Sequence, residues 1–131
     1  MRTRGIVLLA CAVLVGCGAS DRAPDAAAVA ERFHEAIGSQ DGAAACGELA
    51  EETASKLEQQ EGRPCEEAIL DLEIPGEGRS VETNVYVITA SVSLAAGGKT
   101  FLDEFDDGWK VSAAGCVPSA PDAPYDCELE G

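Results

Sequence analysis

The stretch VETNVYVITASVSLAAGGKTFLDEFDDGWKVSAAG, residues 81–115, is where the hydrophobic period of this chain changes. Before it, apolar residues recur every three or four positions; within it they alternate. Tyr86, Ile88, Ala90, Val92 and Leu94 fall at every second position among Val, Thr and Ser, the signature of a half-buried strand. Residues 81–94 therefore read as one long bent strand or two short ones. Gly97-Gly98 is a hairpin signal, residues 100–105 the next strand, Asp107-Gly108 a second hairpin, and residues 109–115 the strand after it. Residues 117–124 hold Pro118, Pro121 and Pro124 and cannot form a central strand. Residues 125–129 suit a short edge element tied back by Cys127.

Upstream the period is helical. Pro24 suits a first turn and Asp25 the positive end of the dipole, so a helix is expected to start over residues 21–24. Val29, Phe33 and Ile37 form one stripe at i, i+4 and i+8, flanked by Ala26, Ala30 and Ala36, and Gly38 closes the helix. Asp41 caps a short second helix carrying Cys46 and Leu49. Residues 51–60 form a polar third helix with Ala54 and Leu57 as apolar contacts, and Gly62-Arg63-Pro64 breaks it. Residues 64–72 make another short helix, with Cys65, Ala68, Ile69 and Leu72 on one side. Helices first and an antiparallel meander second is an α+β order. The expected architecture is a curved antiparallel sheet wrapped on the Val29/Phe33/Ile37 face of the first helix.

The start of the chain is of a different kind. Met1-Arg2-Thr3-Arg4 is cationic, and residues 5–15 are nearly all apolar. At about 11 residues, or roughly 16 Å of helix, the run is too short for a hydrocarbon core of about 30 Å, and it has the layout of a secretory signal. Leu14-Val15-Gly16-Cys17 resembles the lipobox of bacterial lipoproteins. The resemblance implies cleavage between Gly16 and Cys17 and a diacylglycerol thioether on the Cys17 sulfur, for which a thiolate is the available nucleophile. Two acyl chains anchor firmly where one is marginal. The expected organisation is a leader over 1–16, a lipidated tether over 17–23 and a single domain over 24–131, held on the outer face of the cell membrane. Cys11 belongs to the discarded leader.

The net charge is −15; without Arg2 and Arg4 the nine Lys and Arg fall to seven against 24 Asp and Glu, formally −17. Such a surface repels nucleic acid and disfavours lying flat on anionic lipid. It favours solubility or, as the sharper alternative, a cationic partner, ligand or metal ion. Four cysteines remain in the domain: Cys46, Cys65, Cys116 and Cys127. An even number in an exported domain implies disulfides. Of three pairings the local one, Cys46 with Cys65 and Cys116 with Cys127, is favoured, each bond contributing on the order of 3 kcal/mol. No CxxC occurs, and His34 is the lone histidine, so neither a metal site nor a Cys–His nucleophile is expected. The run Asp103-Glu104-Phe105-Asp106-Asp107-Gly108 fails as a calcium loop, because position three is Phe105 and position 12 is Ala114. No phosphate-binding, dinucleotide or nucleophile-elbow motif implies a cofactor.

The helix, the short helix with Asp41 and Cys46, the run Gly108-Trp109-Lys110-Val111 leading to Ala113-Ala114-Gly115-Cys116, and Pro124-Tyr125-Asp126-Cys127 together resemble small exported lipoproteins of high-GC Gram-positive bacteria. Their layout is similar to the nuclear transport factor 2-like fold, a cone of helices against a bent sheet. The resemblance covers essentially the whole mature chain and implies a fold and a location, not an activity. The wider fold includes ketosteroid isomerases and polyketide cyclases, which use acidic or His–Asp groups inside the cone. The pocket candidates here are His34, Tyr86, Asp103 and Trp109, and nothing in their spacing forces them together. His34 is expected at the surface or boundary of the first helix and Trp109 in packing. The expected function is that of a non-catalytic interaction or accessory domain with an envelope partner. The alternatives are a cone that binds a small apolar ligand, and an isomerase- or cyclase-like enzyme. A large, partly polar cavity in the cone containing His34 or Asp103 would favour the alternatives. An interior filled by Phe33, Ile37, Leu94, Leu102 and Trp109 would favour the first.

Overall fold

The computed structural model describes residues 19–131. The expected cleavage and lipidation at Gly16 and Cys17, with the leader over 1–16, lie outside the described residues. Among the described residues four helices precede five strands: α1 (Ala19–Gly38), α2 (Gly42–Gly47), α3 (Glu51–Glu61), α4 (Cys65–Ala68) with a 3-10 turn at Ile69–Asp71, then β1 (Ser80–Tyr86), β2 (Thr89–Leu94), β3 (Lys99–Phe105), β4 (Gly108–Pro118) and β5 (Tyr125–Glu130). The class is α+β. The sheet is antiparallel throughout, in the order β1-β2-β3-β4-β5.

α1 starts earlier than the sequence suggested. Residues 19–23 are already helical, and Pro24 lies in the second turn instead of the first, where its missing N–H withdraws one backbone bond. The apolar stripe behaves as its spacing requires: Ala26, Val29, Ala30, Phe33 and Ile37 are all buried in one cluster with the sheet. Burying Phe33 and Ile37 stabilises the fold by about 1.5–3 kcal/mol each. Asp41 caps α2, its carboxylate accepting from the Ala44 N–H at 3.0 Å. Gly62 ends α3 in the left-handed region at φ 63°. Gly42 lets α2 approach α4 closely, since a Cβ there would stand 1.9 Å from the Glu66 carbonyl oxygen.

Residues 81–94 resolve into two strands. A two-residue turn at Val87-Ile88 separates them, so the alternation read through Tyr86 and Ile88 stops short of the turn: both are exposed, and the interior face begins at Ala90. Ala90, Val92, Leu94, Thr100 and Leu102 then alternate inward on β2 and β3. On β4, Trp109, Val111 and Ala113 are buried, but so is Ala114, because register shifts opposite Phe101 reset the alternation. Irregularities of this kind bend the strand that carries them and increase its twist.

Both local disulfides form. Cys46–Cys65 joins α2 to α4, and Cys116–Cys127 joins directly opposed residues of β4 and β5. A further seam links helices and sheet. Leu49 makes a parallel bridge with Val111: the Val111 N–H donates to the Glu48 carbonyl and the Ala50 N–H to the Val111 carbonyl, each at 2.9 Å. β3 occupies the other rim of β4 at this point, with Leu102 opposite Val111. The α2–α3 junction therefore continues the rim that β5 covers further along.

Candidate functional site

Between α1 and the sheet the buried side chains are apolar except for the hydrogen-bonded pair His34 and Thr100. The expectation of a surface or boundary position is overturned: His34 is 0% exposed. It follows Phe33 on the arc of α1 that faces the sheet, and the two rings meet edge to face at 5.1 Å. Nδ1–H donates to the Pro75 carbonyl at 2.6 Å, since a carbonyl only accepts. Nε2 then accepts from the Thr100 hydroxyl at 2.7 Å. Burial pushes the imidazole pKa below its usual 6.5, and the Pro75 hydrogen bond opposes this in part. His34 thus ties α1 to the loop before β1 and to β3, and both nitrogens are used. Thr100 and Pro75 were not singled out from the sequence. Thr100 was within reach, lying two residues before Leu102 on the same inward face; Pro75 carried no signal.

The other pocket candidates lie elsewhere. Asp103 neighbours the inward-facing Leu102 on β3, so the pleat turns it to the opposite face. It lines an open groove of about 520 Å³ with Glu51, Glu52, Thr53 and Ser112. Trp109 is buried in the core cluster, with the Arg22 guanidinium 6.0 Å from its ring. Tyr86 is 80% exposed at the β1–β2 turn. The four do not converge: one is caged, one packs, one rims a groove and one stands in solvent. The filling set is complete instead, for Phe33, Ile37, Leu94, Leu102 and Trp109 are each buried in a single cluster. Among the described residues no buried side-chain polar atom lacks a partner, and no trio of His, Cys, Asp or Glu is placed to hold a metal ion.

One exposed feature was missed. The β1–β2 turn presents Tyr86, Val87 and Ile88 together, each more than half exposed. Val87 adopts φ 56°, a left-handed conformation that costs a β-branched residue about 1–3 kcal/mol. The β2–β3 and β3–β4 hairpins place glycine at such positions, Gly97, Gly98 and Gly108, and the β4–β5 connection uses Asp122, which is not β-branched. The Thr89 hydroxyl steadies the turn by donating to the Tyr86 carbonyl at 3.0 Å. The turn lies beside the start of α1. The Glu104 N–H donates to the Ile88 carbonyl at 2.8 Å, and the Glu104 carboxylate pairs with Arg22. Phe105, next in β3, is also exposed.

Comparison with protein-family models, with curated proteins and with solved structures finds no match.

Proposed function

We propose that this chain is a lipid-anchored extracytoplasmic domain of the nuclear transport factor 2-like kind, working by binding an envelope partner and not by catalysis. The observation that carries the non-catalytic reading is the apolar packing of the interior: where an isomerase or cyclase of that fold keeps a polar cavity, Phe33, Leu102 and Trp109 are buried together in one hydrophobic cluster. His34 supports it, because a general base needs a free lone pair aimed at substrate and this imidazole has none. The same packing weighs against a small apolar ligand held inside the cone. The two disulfides fit an oxidising compartment, and the lipobox at Leu14-Val15-Gly16-Cys17 supplies the anchor. No described helix is long and apolar enough to cross a membrane. The order of helices first and a five-stranded antiparallel sheet second supports the fold assignment.

Mass spectrometry of the membrane fraction tests the proposal. The expected product begins at Cys17 with a diacylglyceryl group, and co-purifying envelope proteins identify the partner. Cys17→Ala is expected to leave an uncut or mislocalised chain. A cytosolic chain retaining Met1, with Cys46, Cys65, Cys116 and Cys127 reduced, would overturn it.

A further inference from the structure

We infer that the β1–β2 turn, Tyr86-Val87-Ile88, is a second membrane contact: an apolar tip that dips into the lipid surface at the end of the domain where the anchor emerges. The inference rests on the lipidation of Cys17. Three observations place tip and anchor together. Cys17 precedes Ala19, the first residue of α1, by two residues, a span of at most about 7 Å. Arg22, one turn into α1, pairs with the Glu104 carboxylate. The Glu104 backbone N–H in turn bonds the Ile88 carbonyl at the tip. Acyl chains on Cys17 therefore bring the bilayer to the same end as the turn.

The chemistry of the tip fits lipid. A tyrosine with two branched aliphatics, all exposed, matches the boundary between acyl chains and headgroups, where an amphipathic ring buries its body and keeps its hydroxyl wet. Val87 holds a left-handed backbone that asparagine or glycine would take without strain, so the turn carries apolar surface at a cost to the fold. The exposed Asp106 and Asp107 on the neighbouring turn keep the contact shallow and favour a zwitterionic surface over an anionic one. A second copy of this chain would bring the same carboxylates together, which disfavours pairing tip to tip.

The test uses the full chain, processed in cells and reconstituted in phosphatidylcholine vesicles with dibrominated acyl chains, which quench nearby tryptophan. Trp109 is the common background. Tyr86→Trp is compared with Val81→Trp, an exposed position on the same strand about 17 Å away. Tyr86→Trp is expected to be quenched about twofold more than Val81→Trp, and Val87→Asp with Ile88→Asp added should remove the difference. The N-terminal mass of the same sample reads the anchor separately. Lipid on Cys17 with equal quenching at the two positions overturns the tip and leaves the anchor. Quenching at Tyr86→Trp without lipid supports the tip and overturns the anchor. Neither lipid nor excess quenching overturns both, and a tip-dependent dimer with equal quenching assigns the surface to a second copy.

Discussion

His34 sits in a cage that fits the neutral imidazole. Its folded pKa lies below the unfolded value of 6.5, chiefly through burial. The unfolded chain thus takes up a proton near 6.5 that the folded chain refuses. Stability is complete above that value and is lost as pH falls from about 6.5 towards the folded pKa. Urea unfolding at about pH 7.5 and about pH 5.5 should show a lower midpoint in acid, and His34→Gln should flatten the difference. Thr100→Val leaves Nε2 without its donor and should cost about 1–3 kcal/mol in the same assay. The sequence placed His34 on the right helix but at the wrong depth. Helical spacing puts it beside Phe33, yet the groups that make it tolerable in the interior lie 41 and 66 residues away, and no local pattern reports them.

Among the elements, those set by local rules were legible. The Val29/Phe33/Ile37 stripe, the Asp41 cap, the glycine hairpins and the two cysteine pairs all follow from spacing or turn chemistry. The β1–β2 hairpin was obscured because Val87-Ile88 has the composition of a strand and lacks the residues a turn favours. The face taken by Asp103 was illegible for a related reason: one step along β3 separates it from inward Leu102, and only the register decides which is which. Val87→Asn should relieve the turn and raise the unfolding free energy by about 1 kcal/mol in urea titration. Gly42→Ala should do the opposite. The helix-propensity gain of about 1 kcal/mol is outweighed by collision with the Glu66 carbonyl, so the melting temperature should fall. Replacing Cys46 and Cys65 together by alanine releases a 19-residue loop and should lower stability by about 3 kcal/mol, measured against the oxidised parent.

For the molecule as a whole, charge and connectivity set the behaviour. Few cations offset the acidic surface, and some are already engaged: Arg32 with Glu48 at 2.9 Å and Arg63 with Asp71 at 2.6 Å. Mutual repulsion of the remaining carboxylates should ease with added salt, so the melting temperature should rise between about 0.01 M and about 0.15 M ionic strength. The Leu49–Val111 bridge bears on how the chain comes apart. Peeling away the segment around Leu49 would strip a central strand of its neighbour at Val111, and losing that strand would deprive the helical half of its floor. Neither half has a private exit. Denaturation should accordingly be a single event, with ellipticity and Trp109 emission tracing one sigmoid. If so, a protease should find no half-open intermediate in which to begin its work.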